Sequence, residues 1–200
     1  MQSSIIKPFL CLTLLLFGLV GCLAASTEQP FEDAYTVVTE ASISADDVLP
    51  RPTGDVILVV SGQIGKSNSA ENSETKLVEF DRELVESLGL SEFTILDPFE
   101  EREVTYRGVL VRDLLNGLQV DASATDMLAT ALNDYAITIP LEQFHEYPVL
   151  MALQSDGEYM TPDYRGPLMF VYPMHQYDFG KLDIPYRDNW IWQIKSIEIQ

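Results

Sequence analysis

The periodicity of apolar positions changes several times along this chain, and each change marks an element. Residues 55–61, Asp-Val-Ile-Leu-Val-Val-Ser, hold an unbroken β-branched run. Such a run predicts a strand covered on both faces. Helical spacing follows at Leu84, Val85 and Leu88, with Asp81 placed to cap and Gly89 to stop a helix over 82–88. Short strands are predicted at 93–96 and 103–106 around the loop Asp97-Pro98-Phe99-Glu100-Glu101, and a second short helix at 111–115 after Gly108. The rest reads as strands at 127–132, 135–139, 149–154, 168–172 and 190–199, with Asp156-Gly157 as a hairpin turn before 158–160. The expected class is α+β: a single mixed, β-rich domain over 55–200 with short helices and no internal repeat.

The N-terminal part is organised differently. Lys7 precedes an apolar run from Pro8 to Val20, the pattern of an export signal over 1–21. The run is too short for a comfortable membrane span. Leu19-Val20-Gly21-Cys22 resembles a bacterial lipobox, which would make Cys22 an acylated first residue of a periplasmic, lipid-anchored protein. Ordinary cleavage near Ala24 or Ala25, giving a free protein, is the other reading. Residues 22–54 are acidic and interrupted by Pro30, Pro50 and Pro52, so they read as a tether in which Tyr35 to Val38 can pair as an edge strand.

Charge and cysteine usage exclude several classes of function. Twelve Lys and Arg oppose 31 Asp and Glu, for a net charge of −19. That surface repels nucleic-acid phosphates and anionic lipid headgroups, so the membrane is reached only through the anchor. The two cysteines, Cys11 and Cys22, both precede the folded part, which therefore offers no thiolate as nucleophile or soft-metal ligand. Gly62-Gln-Ile-Gly-Lys-Ser67 has two residues between its glycines where a phosphate-binding loop needs four. His145 and His175 lack metal-site partners in sequence, and no Gly-x-Ser-x-Gly elbow exists. His145 reads as a surface-turn residue, and His175 lies in an aromatic segment able to rim a pocket.

Candidate chemistry lies in the loops at strand ends. Asp97 and Phe99, Asn133-Asp134-Tyr135, Arg165, Tyr177, and Arg187 with Trp190 together provide carboxylates, guanidinium groups and flat aromatic faces. Convergence of such loops would suit a planar heterocycle rich in N–H donors.

These segments, taken in order from Val56 to Ile199, resemble the small relatives of the sulfite-oxidase molybdopterin-binding domain. The resemblance rests on Val-Ser-Gly, Asp-Pro-Phe, Tyr-Arg-Gly-Val-Leu-Val-Arg-Asp-Leu-Leu, Ala-Leu-Asn-Asp-Tyr, Arg-Gly-Pro-Leu-Met-Phe-Val-Tyr-Pro and Tyr-Arg-Asp-Asn-Trp-Ile-Trp-Gln-Ile. It implies a pterin cleft. In the family's enzymes a cysteine ligates molybdenum, and the matching region around Thr94 has none. Cysteine-less members resemble periplasmic pterin-binding proteins that partner membrane signalling proteins such as cyclic-di-GMP enzymes. The resemblance therefore implies an exported pterin-binding protein holding a reduced pterin rather than the molybdenum cofactor. Its alternative is a molybdopterin-dependent oxidoreductase or a subunit of one. Within this reading Phe99, Trp190 and Tyr177 stack on the pterin. Asp134, or failing it Asp97, accepts from the 2-amino and N3–H edge, and Arg187 and Arg165 meet oxygen atoms. Metabolic labelling with a radioactive fatty acid is expected to mark the wild-type protein and to be lost in Cys22→Ser; a labelled Cys22→Ser protein would exclude the anchor.

Overall fold

Alternation of burial along the strands builds two sheets around one shared core. The computed structural model describes residues 31–69, 76–182 and 184–200; the signal segment, Cys22 and the first part of the expected tether lie outside them. The strands are β1 (Thr36–Thr39), β2 (Leu58–Gly62), β3 (Leu77–Phe80), β4 (Leu90–Asp97), β5 (Arg102–Leu110), β6 (Asp126–Ala131), β7 (Ala136–Pro140), β8 (Leu150–Ser155), β9 (Glu158–Tyr159), β10 (Met169–Val171) and β11 (Ile194–Ile199). The helices are α1 (Arg82–Glu86), α2 (Val111–Gly117), α3 (Glu142–Glu146) and α4 (Tyr186–Asn189). One sheet runs β1-β4-β5-β8-β10 with β9 paired to β8, and the other runs β3-β2-β11-β6-β7. Strand β11 joins β2 in parallel and β6 antiparallel, which makes the second sheet mixed, as the α+β reading requires.

The six-stranded sheet is covered on both faces. Met151, Leu153 and Phe170 point into the core shared with the second sheet, while their neighbours Leu150, Ala152, Met169 and Val171 join Phe93, Ile95, Val104 and Tyr106 on the outer face. A period of two divides each strand in this way. The outer face is roofed by Trp190 and, less completely buried, by Met174, Tyr186, Trp192, Phe31 and Tyr35. Beneath this roof, β5 and β8 approach closely at Gly108, where an added Cβ would lie 2.1 Å from the Met151 carbonyl oxygen.

The expected caps and turns form. Asp81 accepts a 2.9 Å bond from the Leu84 amide at the start of α1, and Gly89 ends that segment with φ of 92°. Three expectations change. The edge strand expected near Tyr35 to Val38 forms as β1 on β4, but the rest of 31–54 docks more closely than a tether: Ala34 and Leu49 are buried, and the Arg112 guanidinium sits 4.0 Å over the Phe31 ring. The final strand begins at Ile194, not at 190, because the Gln193 amide bonds the Arg165 carbonyl and Gln193 turns to φ of 58°. His145 lies on α3, not in a surface turn; that helix is anchored by buried Phe144, too short a pattern to register as periodicity.

Gly108→Ala is expected to destabilise the protein by about 1–3 kcal/mol or more, since the clash is with backbone and cannot be relieved by a rotamer change. Urea unfolding of the two proteins measures it, and equal midpoints would show that β5 and β8 can separate at this point.

Candidate functional site

At the end of β4 the chain turns sharply, and one carboxylate holds the turn. Asp97 is fully buried; its Oδ1 accepts from the amides of Phe99 (2.7 Å) and Glu100 (2.8 Å), the usual aspartate device for a tight turn. Its Oδ2 accepts from the Tyr106 hydroxyl on β5 (2.5 Å) and from Arg165 Nη1 (2.7 Å), and the same Nη1 donates to the Tyr106 oxygen at 2.9 Å. Burial raises the Asp97 pKa, but bonds from Arg165, Tyr106 and the two amides outweigh it and hold the group below its ordinary 3.8. Burial, and then the Asp97 charge, push the Tyr106 phenol far upward, so it remains a donor. The carboxylate has no capacity left for a ligand, which overturns the expectation that Asp97 reads one.

The turn projects Phe99 outward, 44% exposed, between two indoles. Its ring meets Trp190 edge-on at 5.4 Å and Trp192 at 5.1 Å, while the Arg165 guanidinium lies 4.4 Å over Trp192. Around this group, three buried polar atoms have no hydrogen-bond partner among the described residues: Trp190 Nε1, Trp192 Nε1 and Glu100 Oε1. Glu100 Oε2 pairs with Arg102 at 2.6 Å, whereas Oε1 stands 3.6 Å from Arg165 Nη1, a contact of charges without a hydrogen bond. Buried polar groups are rarely left unpaired, so these three are the chemical signal of this face. The arrangement holds two N–H donors and one carboxylate oxygen, all buried and without hydrogen-bond partners, beside the exposed Phe99 ring.

Of the residues proposed from sequence, Asp97, Phe99, Arg165 and Trp190 come together here, and the others do not. Asn133, Asp134 and Tyr135 form the β6–β7 turn: Asn133 Oδ1 accepts the Tyr135 amide at 3.0 Å, and Asp134, at φ of 64°, pairs with Lys195 at 2.5 Å. The Asp134 side chain is 85% exposed and the Lys195 bond lowers its pKa, so it is a surface ion pair and not a desolvated reader. Tyr177 stacks edge-on with Tyr147 at 5.1 Å and lines a separate 430 Å³ recess with Met174, His175 and Tyr186. Arg187 lies exposed on α4 with its Nε 3.3 Å from the Tyr186 hydroxyl. His175 Nε2 contacts the Ala34 carbonyl at 3.0 Å, which ties the N-terminal segment down; burial lowers its pKa against the opposing pull of that bond. Glu100, Trp192 and Tyr106 were not expected. Glu100 sits one place beyond Phe99, and only the turn geometry distinguishes it from Glu101.

A larger cavity of about 920 Å³ opens between α2, β7 and α3, but Asp121 and Asp126 in its wall bond their own neighbours Ser123 and Thr125. Among the described residues no three His, Cys, Asp or Glu side chains are grouped to hold a metal. Thr94, where the resemblance places a missing thiolate, shares a 2.7 Å hydroxyl bond with Thr105. The residues at Phe99 therefore suit the organic, pterin part of a molybdopterin, while no described side chain offers molybdenum a thiolate.

The two-sheet architecture is that of the sulfite-oxidase-type molybdopterin-binding fold. Residues 100–177 match the family described as oxidoreductase molybdopterin binding domain. The fold is similar to that of the sulfane dehydrogenase SoxCD from Paracoccus pantotrophus, with 15% identity and a TM-score of 0.50 over 71% of this chain and 37% of that one. The chain thus spans little more than a third of that protein. No curated protein matches the sequence. The likeness to the oxidoreductase molybdopterin-binding domain in sequence thus covers less than half of the chain, and the likeness in fold extends beyond it.

Replacing Asp97 with Asn leaves the buried Arg165 charge with only the Glu100 contact at 3.6 Å, a loss of about 3 kcal/mol, the lower end for breaking a buried pair. Because the folded Asp97 pKa lies below its ordinary 3.8, the stabilisation is fully present above that value and is lost as pH falls further toward the folded pKa. Urea unfolding is expected to show a wild-type advantage over Asp97→Asn that is constant from pH 7 to about 5 and shrinks below about 4; a gap independent of pH down to 2 would contradict it.

Proposed function

We propose that this protein binds a pterin-type heterocycle against Phe99, Trp190 and Trp192, as a binding domain rather than a redox centre. The observation that carries the proposal is the group of three unpartnered buried atoms, Trp190 Nε1, Trp192 Nε1 and Glu100 Oε1, around an exposed aromatic ring. A pterin offers flat faces for the rings, oxygen and ring-nitrogen acceptors for the indoles, and N–H donors for the carboxylate. The molybdopterin-binding description of the matched family supports the ligand class.

A second reading, a molybdopterin-dependent oxidoreductase domain or a subunit of one, is supported more directly by the comparisons, since the matched family is described as an oxidoreductase domain and the similar structure is a dehydrogenase. In that reading the metal's thiolate must come from outside the described residues. The lack of a soft ligand beside Phe99 favours the binding reading. Export through the 1–21 signal, anchoring at Cys22, and coupling to the periplasmic domain of a membrane signalling protein complete the proposal; the lipobox-like residues and the family resemblance support them.

The protein's two tryptophans are both in this site, so intrinsic fluorescence reports directly on it. Titration with tetrahydropterin is expected to quench that fluorescence, and Phe99→Ala to weaken binding about fivefold, the size of a lost aromatic contact of roughly 1 kcal/mol. Asp134→Ala should bind as wild type. Unchanged affinity in Phe99→Ala, or lost binding in Asp134→Ala, would move the site elsewhere.

A further inference from the structure

We infer that Glu100 is the specificity-determining residue of this site and selects heterocycles carrying an amidine edge, two adjacent N–H donors, over dioxo analogues. The inference rests on the pterin-type reading and adds the group that reads the ligand.

Of the carboxylates in the loops that carry the candidate residues, Glu101, Asp163 and Asp188 are exposed, and their partners separate Asp97, Asp134 and Glu100. Asp97 spends both oxygens on the turn, Tyr106 and Arg165. Asp134 is solvated and paired with Lys195. Glu100 alone of the three combines an engaged oxygen with a buried free one: Oε2 is held by Arg102 at 2.6 Å, and Oε1 is shielded from water with no hydrogen bond. Arg102, at the start of β5, fixes the side chain, and the Asp97 turn fixes its backbone amide, so the free oxygen is positioned in advance by two independent contacts. Arg165 Nη1, 3.6 Å away and already donating to Asp97 and Tyr106, places positive charge beside that oxygen without consuming its lone pairs. Arg165 links the parts, its Nη1 3.6 Å from Oε1 and its guanidinium 4.4 Å over Trp192, whose ring meets Phe99; a heterocycle stacked on Phe99 therefore reaches Oε1 when the side chains covering that oxygen move aside.

A buried carboxylate oxygen accepts but cannot donate. It therefore favours the 2-amino and N3–H edge of a pterin and opposes lumazine, whose 2-oxo group would direct a second oxygen at it. The unpartnered indole N–H groups of Trp190 and Trp192 complement this, because they favour ligand acceptors such as the 4-oxo group, which pterin and lumazine share. Discrimination is thus assigned to Glu100 and common affinity to the indoles.

Fluorescence titration of the full chain with pterin and with lumazine tests the assignment. Wild type is expected to bind pterin at least tenfold more tightly than lumazine, the weight of a hydrogen bond to a charged group. Glu100→Gln, whose amide can also donate, should bring the two affinities within about threefold of each other. Arg102→Gln, which releases Oε2 but leaves the carboxylate and its backbone anchor in place, should lower the preference for pterin less than Glu100→Gln does. Equal binding of both ligands by wild type, a preference that survives Glu100→Gln, or the same loss in Arg102→Gln would overturn the role of Glu100 and leave the pterin-type reading standing. Failure of wild type to bind either ligand would overturn both.

Discussion

The Asp97 carboxylate accepts four hydrogen bonds, from the Phe99 and Glu100 amides, the Tyr106 hydroxyl and the Arg165 guanidinium, and so ties three parts of the chain at one buried point. The turn after β4, the middle of β5 and the loop before β10 all meet there. Without this clamp the turn would lack its internal bonds and the buried Arg165 would keep only the Glu100 carboxylate at 3.6 Å, a state costlier than the pair. The consequences reach the surface. Arg165 lies over Trp192, and the turn sets Phe99 between both indoles, so the aromatic face inherits its geometry from an interaction no ligand touches.

Much of the sheet architecture was legible in residue pattern alone. The β-branched run before Gly62, the capped helix after Asp81 and the Asp156-Gly157 hairpin are local signals, each with a mechanism that acts within a few residues. Beyond its edge strand, the docking of residues 31–54 was not legible, because it depends on long-range partners such as Arg112 over Phe31 and His175 at Ala34. The course of Trp190 to Gln193 was hidden for the same reason: alternation of Trp and Ile reads as a strand, yet backbone bonds to the loop before β10 and to β10 itself pull the segment out of the sheet.

The candidate site was legible by loop and not by atom. Four of the proposed residues converge, but a sequence does not say whether a carboxylate's lone pairs are spent on its own fold. Asp97 and Asp134 attracted the assignment because aspartate beside an aromatic residue suits ligand chemistry, and both fill structural roles that the same residue type serves in turns. Glu100, flanked by Phe99 and Glu101, had no distinguishing mark until the turn buried one of its oxygens. Relationship to an oxidoreductase domain also leaves the chemistry open, because the organic and metal parts of a molybdopterin place different demands on a protein. In the proposed reading the aromatic face serves the first demand, and no described side chain supplies a thiolate for the second.

Mass spectrometry and metal analysis of small molecules released from the protein, purified after export in a host that makes molybdenum cofactor, test the central claim most directly. The account predicts a pterin released without stoichiometric molybdenum. Intact molybdopterin with one molybdenum per chain would contradict it and restore the redox reading.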